Sequence, residues 1–297
     1  MAKSVVVTGA NGGIGLATVV ELARHGYDVI GTVRSAEGAD AVAAASAEAG
    51  VTARVVFCDV ADPAGTETAF AEVAELTGGG PWALVNNAGY VQAGAVEDVP
   101  DEQARRQLEV NTLAPVRIAR LVLPAMRARG DGRIVNVSSV AGRVTAPLMG
   151  WYCASKHALE ALSDALRMEV AAFGIKVILI EPGGMNTAIW ADGRDTLPVR
   201  DDTAYAAGYD RAEAVSKQSR WFPDPVWVAR AIRLALANPL PMTRYLVGVD
   251  AVTGTVADTV VPTPLTDYVK AVSAGLRRLP VSLPSLPSLP SLPFRRS

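Results

Sequence analysis

The sequence predicts an α/β fold in three layers, a doubly wound parallel sheet with helices on both faces (αβα). Three observations carry this. Short Val/Ile-rich runs alternate along the chain with longer, periodic Ala/Leu-rich segments. The short runs are continuously apolar, as expected of strands buried on both faces. Half of the 297 residues are hydrophobic and a fifth are charged, which suits a large core and excludes a mainly disordered chain.

The elements follow in order. The three valines of Ser4-Val5-Val6-Val7-Thr8 make strand 4–8, and a glycine turn leads from it into helix 13–25. Strand 27–33, helix 36–49, strand 53–57, helix 63–76 and strand 82–85 repeat the unit. Helix 101–128 contains Pro115, so a kink or break is expected there. Strand 132–138, helix 150–173 and strand 175–180 come next, then helix 225–237 and strand 244–247. Parallel strands joined by helices need both faces of the sheet covered.

Residues 184–224 break the alternation. Trp190, Tyr205, Tyr209, Trp221 and Phe222 stand there among polar and proline residues. That fits a lid inserted over a pocket, or an ordinary surface excursion. Length alone suggests about two domains. The order of elements suggests one, residues 1–252 with the insertion, followed by a C-terminal extension at 253–280. Residues 281–297 carry Ser-Leu-Pro four times over, then Phe294-Arg295-Arg296-Ser297. Proline at every third position prevents helix and sheet alike, so this tail is expected to be extended or disordered. Its leucines on one edge of a polyproline helix, or its two arginines at a lipid surface, are weaker alternatives.

Charge and cysteine usage exclude several classes. Net charge is −2, unlike the basic balance of nucleic-acid or anionic-membrane binders. Cys58 and Cys153 cannot make a disulfide framework, and their spacing with His25 and His157 fits no metal site. The apolar run near the N-terminus is too short for a signal peptide. The uncharged stretch from Thr77 to Val96 holds five glycines and does not read as a spanning helix. A cytoplasmic protein is expected, with no metal, no nucleic-acid partner and no integral membrane segment.

The first strand enters Thr8-Gly9-Ala10-Asn11-Gly12-Gly13-Ile14-Gly15. Glycines let the backbone turn sharply and let a pyrophosphate approach the amides. The following helix then offers free N–H groups and the positive end of its dipole. A glycine cluster alone also fits a tight loop with no ligand. In strand–turn–helix context it reads as a dinucleotide site, and the fold as Rossmann-like. Gly9, Asn11, Gly12, Gly13, Ile14 and Gly15 are the candidate contacts. The second strand ends in Thr32-Val33-Arg34 with no carboxylate nearer than Glu37. A carboxylate there would bind the 2′-hydroxyl of NAD, whereas an arginine meets the 2′-phosphate of NADP. Arg34 therefore favours NADP, with NAD as the alternative if Arg34 is only a solvated surface residue.

Tyr152-Cys153-Ala154-Ser155-Lys156 opens a periodic helix, and Tyr152 and Lys156, four apart, share a face. A phenol is a poor base at neutral pH, and a nearby ammonium stabilises its anion. Ser139 closes the strand that ends Asn136-Val137-Ser138, and strand ends line the ligand crevice of such sheets. Tyr-x-x-x-Lys by itself is common.

With these residues in hand, the chain resembles the short-chain dehydrogenase/reductase family over about residues 3–250. The Thr-Gly-x-x-x-Gly-x-Gly turn is Gly9, Gly13 and Gly15. Asn-Asn-Ala-Gly is Asn86-Asn87-Ala88-Gly89, the helix asparagine is Asn111, the serine Ser139, the pair Tyr152 and Lys156, and Pro-Gly-x-x-x-Thr is Pro182, Gly183 and Thr187. The resemblance implies a catalytic set of Asn111, Ser139, Tyr152 and Lys156. In it Tyr152 is the general acid or base, Lys156 lowers its pKa and binds the nicotinamide ribose, Ser139 polarises the substrate oxygen, and Asn111 holds a relay water. It also implies Asp59 and Val60 as adenine contacts, with Asn87, Ala88 and Gly89 along the adenosine. Pro182, Gly183 and Thr187 would lie at the nicotinamide. Asp59 as a loop cap and Thr187 as a surface hydroxyl are the plainer readings.

Gly9, Gly12 and Gly15 also fit the spacing of the family's extended branch of epimerases and dehydratases. Asn-Asn-Ala-Gly, Asn111 and the short C-terminal region favour the shorter branch. Leu148, Met149 and Trp151 beside Tyr152, with the aromatics of 184–222, imply an apolar pocket. The segment from Asp224 to Gly248 is similar to steroid- and retinol-type members, which implies a lipophilic secondary alcohol or ketone as substrate. Family members form homodimers or homotetramers through helices 101–128 and 150–173. A sensor or scaffold that keeps the fold without catalysis is the competing class.

Overall fold

Seven strands form one all-parallel sheet, ordered β3-β2-β1-β4-β5-β6-β7, in a computed structural model that describes residues 2–197 and 203–277. The strands are β1 (Ser4–Thr8), β2 (Asp28–Val33), β3 (Arg54–Phe57), β4 (Ala83–Asn86), β5 (Gly132–Val137), β6 (Ile175–Pro182) and β7 (Arg244–Val247). The chain first winds outward from β1 to β3, then crosses back to place β4 on the other side of β1. This reversal leaves a crevice at the carboxyl ends of β1 and β4, where sheets of this kind bind ligands.

Alternate strand residues feed opposite faces of the sheet. Val5, Val7, Val29, Val85, Val135, Ile178 and Ile180 pack on one face with Val19 and Leu22 of α1 (Gly13–Arg24) and Val228 and Ile232 of α9 (Val226–Ala237). Val6, Ile30, Leu84, Ile134 and Val177 pack on the other. There they meet Phe70 and Val73 of α3 (Pro63–Leu76) and Ile118, Val122 and Met126 of α5 (Ala114–Arg129). Burial on both sides is the physical reason why the strands carry no polar alternation.

The long helix expected over 101–128 is three pieces. α4 (Asp101–Leu108) runs into a π-helical segment, Glu109–Leu113, and then into α5. The break expected at Pro115 thus falls just before it, and Pro115 sits in the first turn of α5, where a missing N–H costs nothing. The helix expected at 150–173 is α6 (Gly150–Val170) with a closing 3-10 turn, and α2 covers Ala36–Glu48. The sequence reading gave no helix to four segments: α7 (Ile189–Asp195), α8 (Ala206–Lys217), α10 (Val249–Val260) and α11 (Thr263–Ser273). The expected boundary at 252 cuts through α10. The expectation of a disordered tail at 281–297 lies outside the described residues. Among the described residues no helix is long and apolar enough to cross a membrane.

Leu84 is fully buried in the second of these cores. Leu84→Ala should destabilise the protein by about 2–5 kcal/mol, read as a lower denaturant midpoint with an unchanged m-value.

Candidate active site

The glycine turn is held in place by side chains of the two strands that flank the crevice. Gly9 and Gly13 have φ of 66° and 49°, a backbone that side chains rarely adopt. A Cβ on Gly9 would stand 2.9 Å from Ala88 Cα, and one on Gly15 would stand 2.1 Å from the Gly9 carbonyl oxygen. Thr8 Oγ1 accepts from the N–H groups of Asn87 and Ala88, 3.0 Å each. Asn87 Nδ2 returns to the carbonyls of Thr8 and Gly9 at 2.9 and 3.1 Å. Thr8 and the Asn87 amide therefore clamp the turn from within. No side chain caps the N-terminus of α1, and a Cβ at Gly12 would meet nothing within 4 Å. The first N–H groups of α1 are left open beside free space, which suits an anion.

The other expected cofactor residues lie around this turn in different degrees. Thr187 is drawn against it, with Cγ2 only 3.1 Å from a Gly13 Cβ position, and Asn11 packs on Gly38 at the start of α2. Ile14 packs on the core. Arg34 is exposed just past the end of β2. Asp59 is exposed and its carboxylate caps the Ala61 N–H at 3.0 Å, the loop-cap contact. Val60 is buried, and its carbonyl accepts from Arg117 at 3.1 Å. Pro182 and Gly183 end β6 beside Asp250, whose carboxylate accepts from the Gly184 N–H at 2.6 Å. Asp250 was missed by the sequence reading. Its signal is an acid in the first turn of a helix right after a glycine, Gly248-Val249-Asp250.

The catalytic candidates converge where β5, β6 and α6 meet. Ser139 follows β5 and caps a single 3-10 turn; its Oγ accepts from the Ala141 N–H at 3.1 Å and donates to the Pro182 carbonyl at 3.4 Å. Tyr152 is buried on α6 with its hydroxyl in hydrogen-bonding contact with Ser139. Lys156 Nζ donates to the Val137 carbonyl at 2.9 Å and lies 5.9 Å from the Tyr152 ring centre. α6 is pinned to the sheet by a buried relay. Asn86 Nδ2 donates to Asn136 Oδ1, and Asn136 Nδ2 to Ser163 Oγ, 2.8 Å each.

Asn111 sits in the π-helical segment. Its side-chain nitrogen donates to the Tyr90 carbonyl at 3.0 Å and to Ser155 Oγ at 3.1 Å, and its oxygen accepts from the Tyr90 N–H at 3.2 Å. Thr112 Oγ1 donates to the Ser155 carbonyl at 2.8 Å. The π segment is thereby stapled to the turn of α6 between Tyr152 and Lys156.

Electrostatics here differ from the expected lysine–phenol balance. Burial pushes Tyr152 up to about 12, against a smaller lowering by Ser139. Burial pushes Lys156 down to about 8, opposed by the charge of Glu160. In the protein itself, therefore, Tyr152 is a neutral phenol at physiological pH, with desolvation as the dominant influence.

An apolar cavity of about 180 Å³ opens beside this site, lined by Val91, Leu148, Met149, Trp190, Leu197 and Val215 among others. Val91 and Met149 also pack in the cluster that holds Tyr152 and Cys153. Leu148 has φ 63°, a strained backbone costing on the order of 1–3 kcal/mol. Trp190 meets Phe222 edge to face at 5.3 Å. Of the aromatics expected at the pocket, Trp151 instead donates to the Val96 carbonyl and Trp221 is 77% exposed. The excursion is latched to the loop after β4. Tyr209 is fully buried, donates to Asp98 at 2.5 Å and accepts from the Ala95 N–H at 2.9 Å; Thr203 donates to the same carboxylate. These bonds hold Asp98 below the usual carboxylate range. α11 reaches the cavity through Ser273 and Ala274.

A lysine near 8 when folded and 10.5 when free binds fewer protons folded than unfolded between those values. Stability therefore rises as pH climbs from about 8 toward 10.5, by a total on the order of 3 kcal/mol. Lys156→Met should abolish this rise, measured as the difference in Tm between variant and wild type across that range. A difference that does not change with pH would contradict it.

The short chain dehydrogenase family model matches residues 3–198. An uncharacterized oxidoreductase of Bacillus subtilis (strain 168), YusZ, is 36% identical over 259 residues, spanning 83% of this chain and 89% of that protein. The NADPH-dependent 3-dehydrocapnine reductase of Ornithobacterium rhinotracheale is 34% identical over 248 residues, spanning 82% and 87%. A crystal structure of a short-chain dehydrogenase from Streptomyces avermitilis superimposes with a TM-score of 0.75 at 35% identity, covering 92% of this chain and 97% of that one. Clamped glycine turn, π-interrupted helix and Ser139–Tyr152–Lys156 cluster all lie within or beside the matched span, and the chain belongs to the short-chain dehydrogenase/reductase family.

Proposed function

We propose that the protein is an NADP-linked alcohol dehydrogenase or ketone reductase acting on a lipophilic secondary alcohol or ketone. The observation that carries this reading is the contact of Tyr152 with Ser139 next to an apolar cavity. Gly9, Asn11, Gly12, Gly13, Ile14 and Gly15 would hold the pyrophosphate, and the tight contacts at Gly9 and Gly15 with open space at Gly12 fit that group. Asp59 and Val60 would meet the adenine, and Asn87, Ala88 and Gly89 the adenosine side. Pro182, Gly183 and Thr187 would meet the nicotinamide, and Tyr152 and Lys156 its ribose. Arg34, exposed at the end of β2, would receive the 2′-phosphate, in line with the NADPH-dependent relative. When bound, the nicotinamide supplies or accepts the hydride.

The protein's own residues manage charge on the substrate oxygen. Reduction of a ketone builds negative charge there. Tyr152, held neutral by burial, has a proton to give, and Ser139 Oγ donates a hydrogen bond beside it. In the reverse direction Tyr152 must take the alcohol proton, for which the Lys156 ammonium stabilises the phenolate. Both side-chain N–H groups of Asn111 are engaged by Tyr90 and Ser155, and its oxygen accepts from the Tyr90 N–H. A relay water it helps to hold would therefore donate to its remaining oxygen lone pair or to backbone carbonyls of the π segment. Residues 184–224 would act as a lid, tied down by Tyr209 and Thr203 on Asp98. Exposed Leu113, Leu121, Leu162 and Met168 on and beside α5 and α6 support a homodimer or homotetramer packed through these helices.

Tyr152→Phe should lower kcat by about 10²–10⁴ while NADPH binding, followed by nicotinamide fluorescence, stays within about twofold. Turnover at the wild-type rate would refute the assignment. Arg34→Glu should weaken NADPH by about tenfold or more, as expected for loss of a charge-assisted phosphate contact, and leave NADH binding nearly unchanged.

A further inference from the structure

A cluster of buried charged groups lies one helical turn beyond Lys156, outside every role assigned above. Glu160 on α6 and Glu181 near the end of β6 are 5% and 0% exposed. A buried carboxylate is costly unless it is paired and hydrogen-bonded. Arg244 Nε, from β7, lies 3.1 Å from Glu160 Oε2 and 3.0 Å from Glu181 Oε1, and its Nη2 lies 2.6 Å from Asp164. Arg143 approaches Glu181 only to 3.6 Å and is itself partly exposed. One well-placed guanidinium thus serves three carboxylates. The single Nε–H of Arg244 is directed at Glu160 Oε2, so Glu160 Oε1 and both oxygens of Glu181 accept no hydrogen bond despite the nearby guanidinium, and Ser138 Oγ beside them has no partner either.

Gly142 shows how tightly Glu160 is packed against Ser138. A Cβ there would stand 2.7 Å from Ser138 Oγ, 2.9 Å from Glu160 Cγ and 3.3 Å from Glu160 Oε1. Glu160 Oε2 and Glu181 Oε1 both lie within 3.1 Å of Arg244 Nε, and two buried carboxylates held that close each make ionisation of the other costlier. Burial first, then the charge of Glu160, raises Glu181 to about 7, and the two side chains are within hydrogen-bonding contact. A proton on Glu181 donated toward Glu160 supplies the missing donor and leaves a single negative charge on the pair.

That charge stands behind Lys156. Glu160 follows Lys156 by four residues on α6, so both project from one face. The Lys156 ammonium is buried with the Val137 carbonyl as its hydrogen-bond acceptor. We propose that Glu160, sharing one proton with Glu181, is a positioning residue that acts through space to keep Lys156 charged beneath Tyr152. This rests on the role given to Lys156 above.

The remaining charges around the pair do not compete for that task. On α6, Asp164 is held by Arg167 and Arg244. On the π segment, Glu109 is held by Arg117; on α4, Asp101 pairs with Arg105. On β5, Arg133 pairs with Asp131; Arg233 of α9 pairs with Glu21. On α10, Asp250 accepts from the Gly184 N–H. Arg143, in the turn after β5, faces Glu181.

Removing the Glu160 charge leaves desolvation of Lys156 unopposed, so the lysine loses its proton at lower pH. In Glu160→Gln the alkaline limb of kcat/KM for ketone reduction should move down by roughly one pH unit or more. Glu160→Asp, which keeps the charge, should restore most of that shift. Glu181→Gln leaves the Glu160 charge in place and should move the limb by much less than Glu160→Gln does, since Glu181 carries its own charge only above about pH 7. Difference infrared spectroscopy of wild type against Glu181→Gln, below neutral pH and without substrate, should show a protonated-carboxyl stretch that the variant lacks. An unmoved limb in Glu160→Gln, or no such stretch, overturns the proposal. If Glu160→Gln does not fold, the infrared comparison decides alone. That comparison needs no turnover, so absence of any reductase activity would strike the proposed function separately.

Discussion

The site depends on one constraint, the need of buried polar groups to find partners where a parallel sheet ends. At the carboxyl edge the strands leave their ladders, and their last peptide groups lie inside the protein. Side chains take over as partners: Thr8 for the amides of Asn87 and Ala88, and Asn87 for the carbonyls of Thr8 and Gly9. Asn86, Asn136 and Ser163 form a second relay that ties α6 to the sheet. Because these bonds are buried, each would be expensive to leave unmade. The same bonds that complete the fold also hold the glycine turn and the Tyr152 helix in fixed relation.

Rigidity at that edge sets the charge states. Tyr152 and Lys156 sit inside the protein because α6 is drawn onto β5 and β6. Both pay a desolvation penalty in opposite directions, the phenol rising to about 12 and the ammonium falling to about 8. A phenol that keeps its proton suits donation to a developing alkoxide. The lysine then needs support for its own charge, and buried Glu160, one turn along α6, stands where such support acts through space.

The apolar cavity is built differently. Its walls come from the loop around Leu148, from α7 and α8, and from the end of α11. These segments are joined to the rest by the polar contacts of Tyr209 and Thr203 on Asp98 and by a small apolar cluster of Ala95, Leu148 and Tyr209. Elements attached in this way open at lower free energy than core strands. Catalytic residues on the rigid edge and a cavity wall on the less embedded helices divide positioning from access.

Much of this was legible in the sequence. Strand positions were plain because burial on both faces demands unbroken apolar runs, and Val and Ile cluster in five of the seven, β4 and the edge strand β7 being the exceptions. Gly9, Gly13, Gly15, Ser139, Tyr152 and Lys156 were legible because turn geometry and helical spacing are local. Asn87 as a clamp, Asn111 as a staple within a π segment, and Asp250 at the Gly184 amide were not, since each acts on a partner distant in sequence. α7 and α8, in the polar and proline-containing stretch, were obscured by weak periodicity and pack chiefly on each other, and α10 and α11 lie beyond the last strand, where no further βα unit is expected. The sequence by itself determined the sheet and the chemical groups at its edge, because those follow from local pattern. Tertiary structure alone decided their protonation and the company of Glu160 and Glu181, because desolvation and charge coupling depend on which distant segments close over a group.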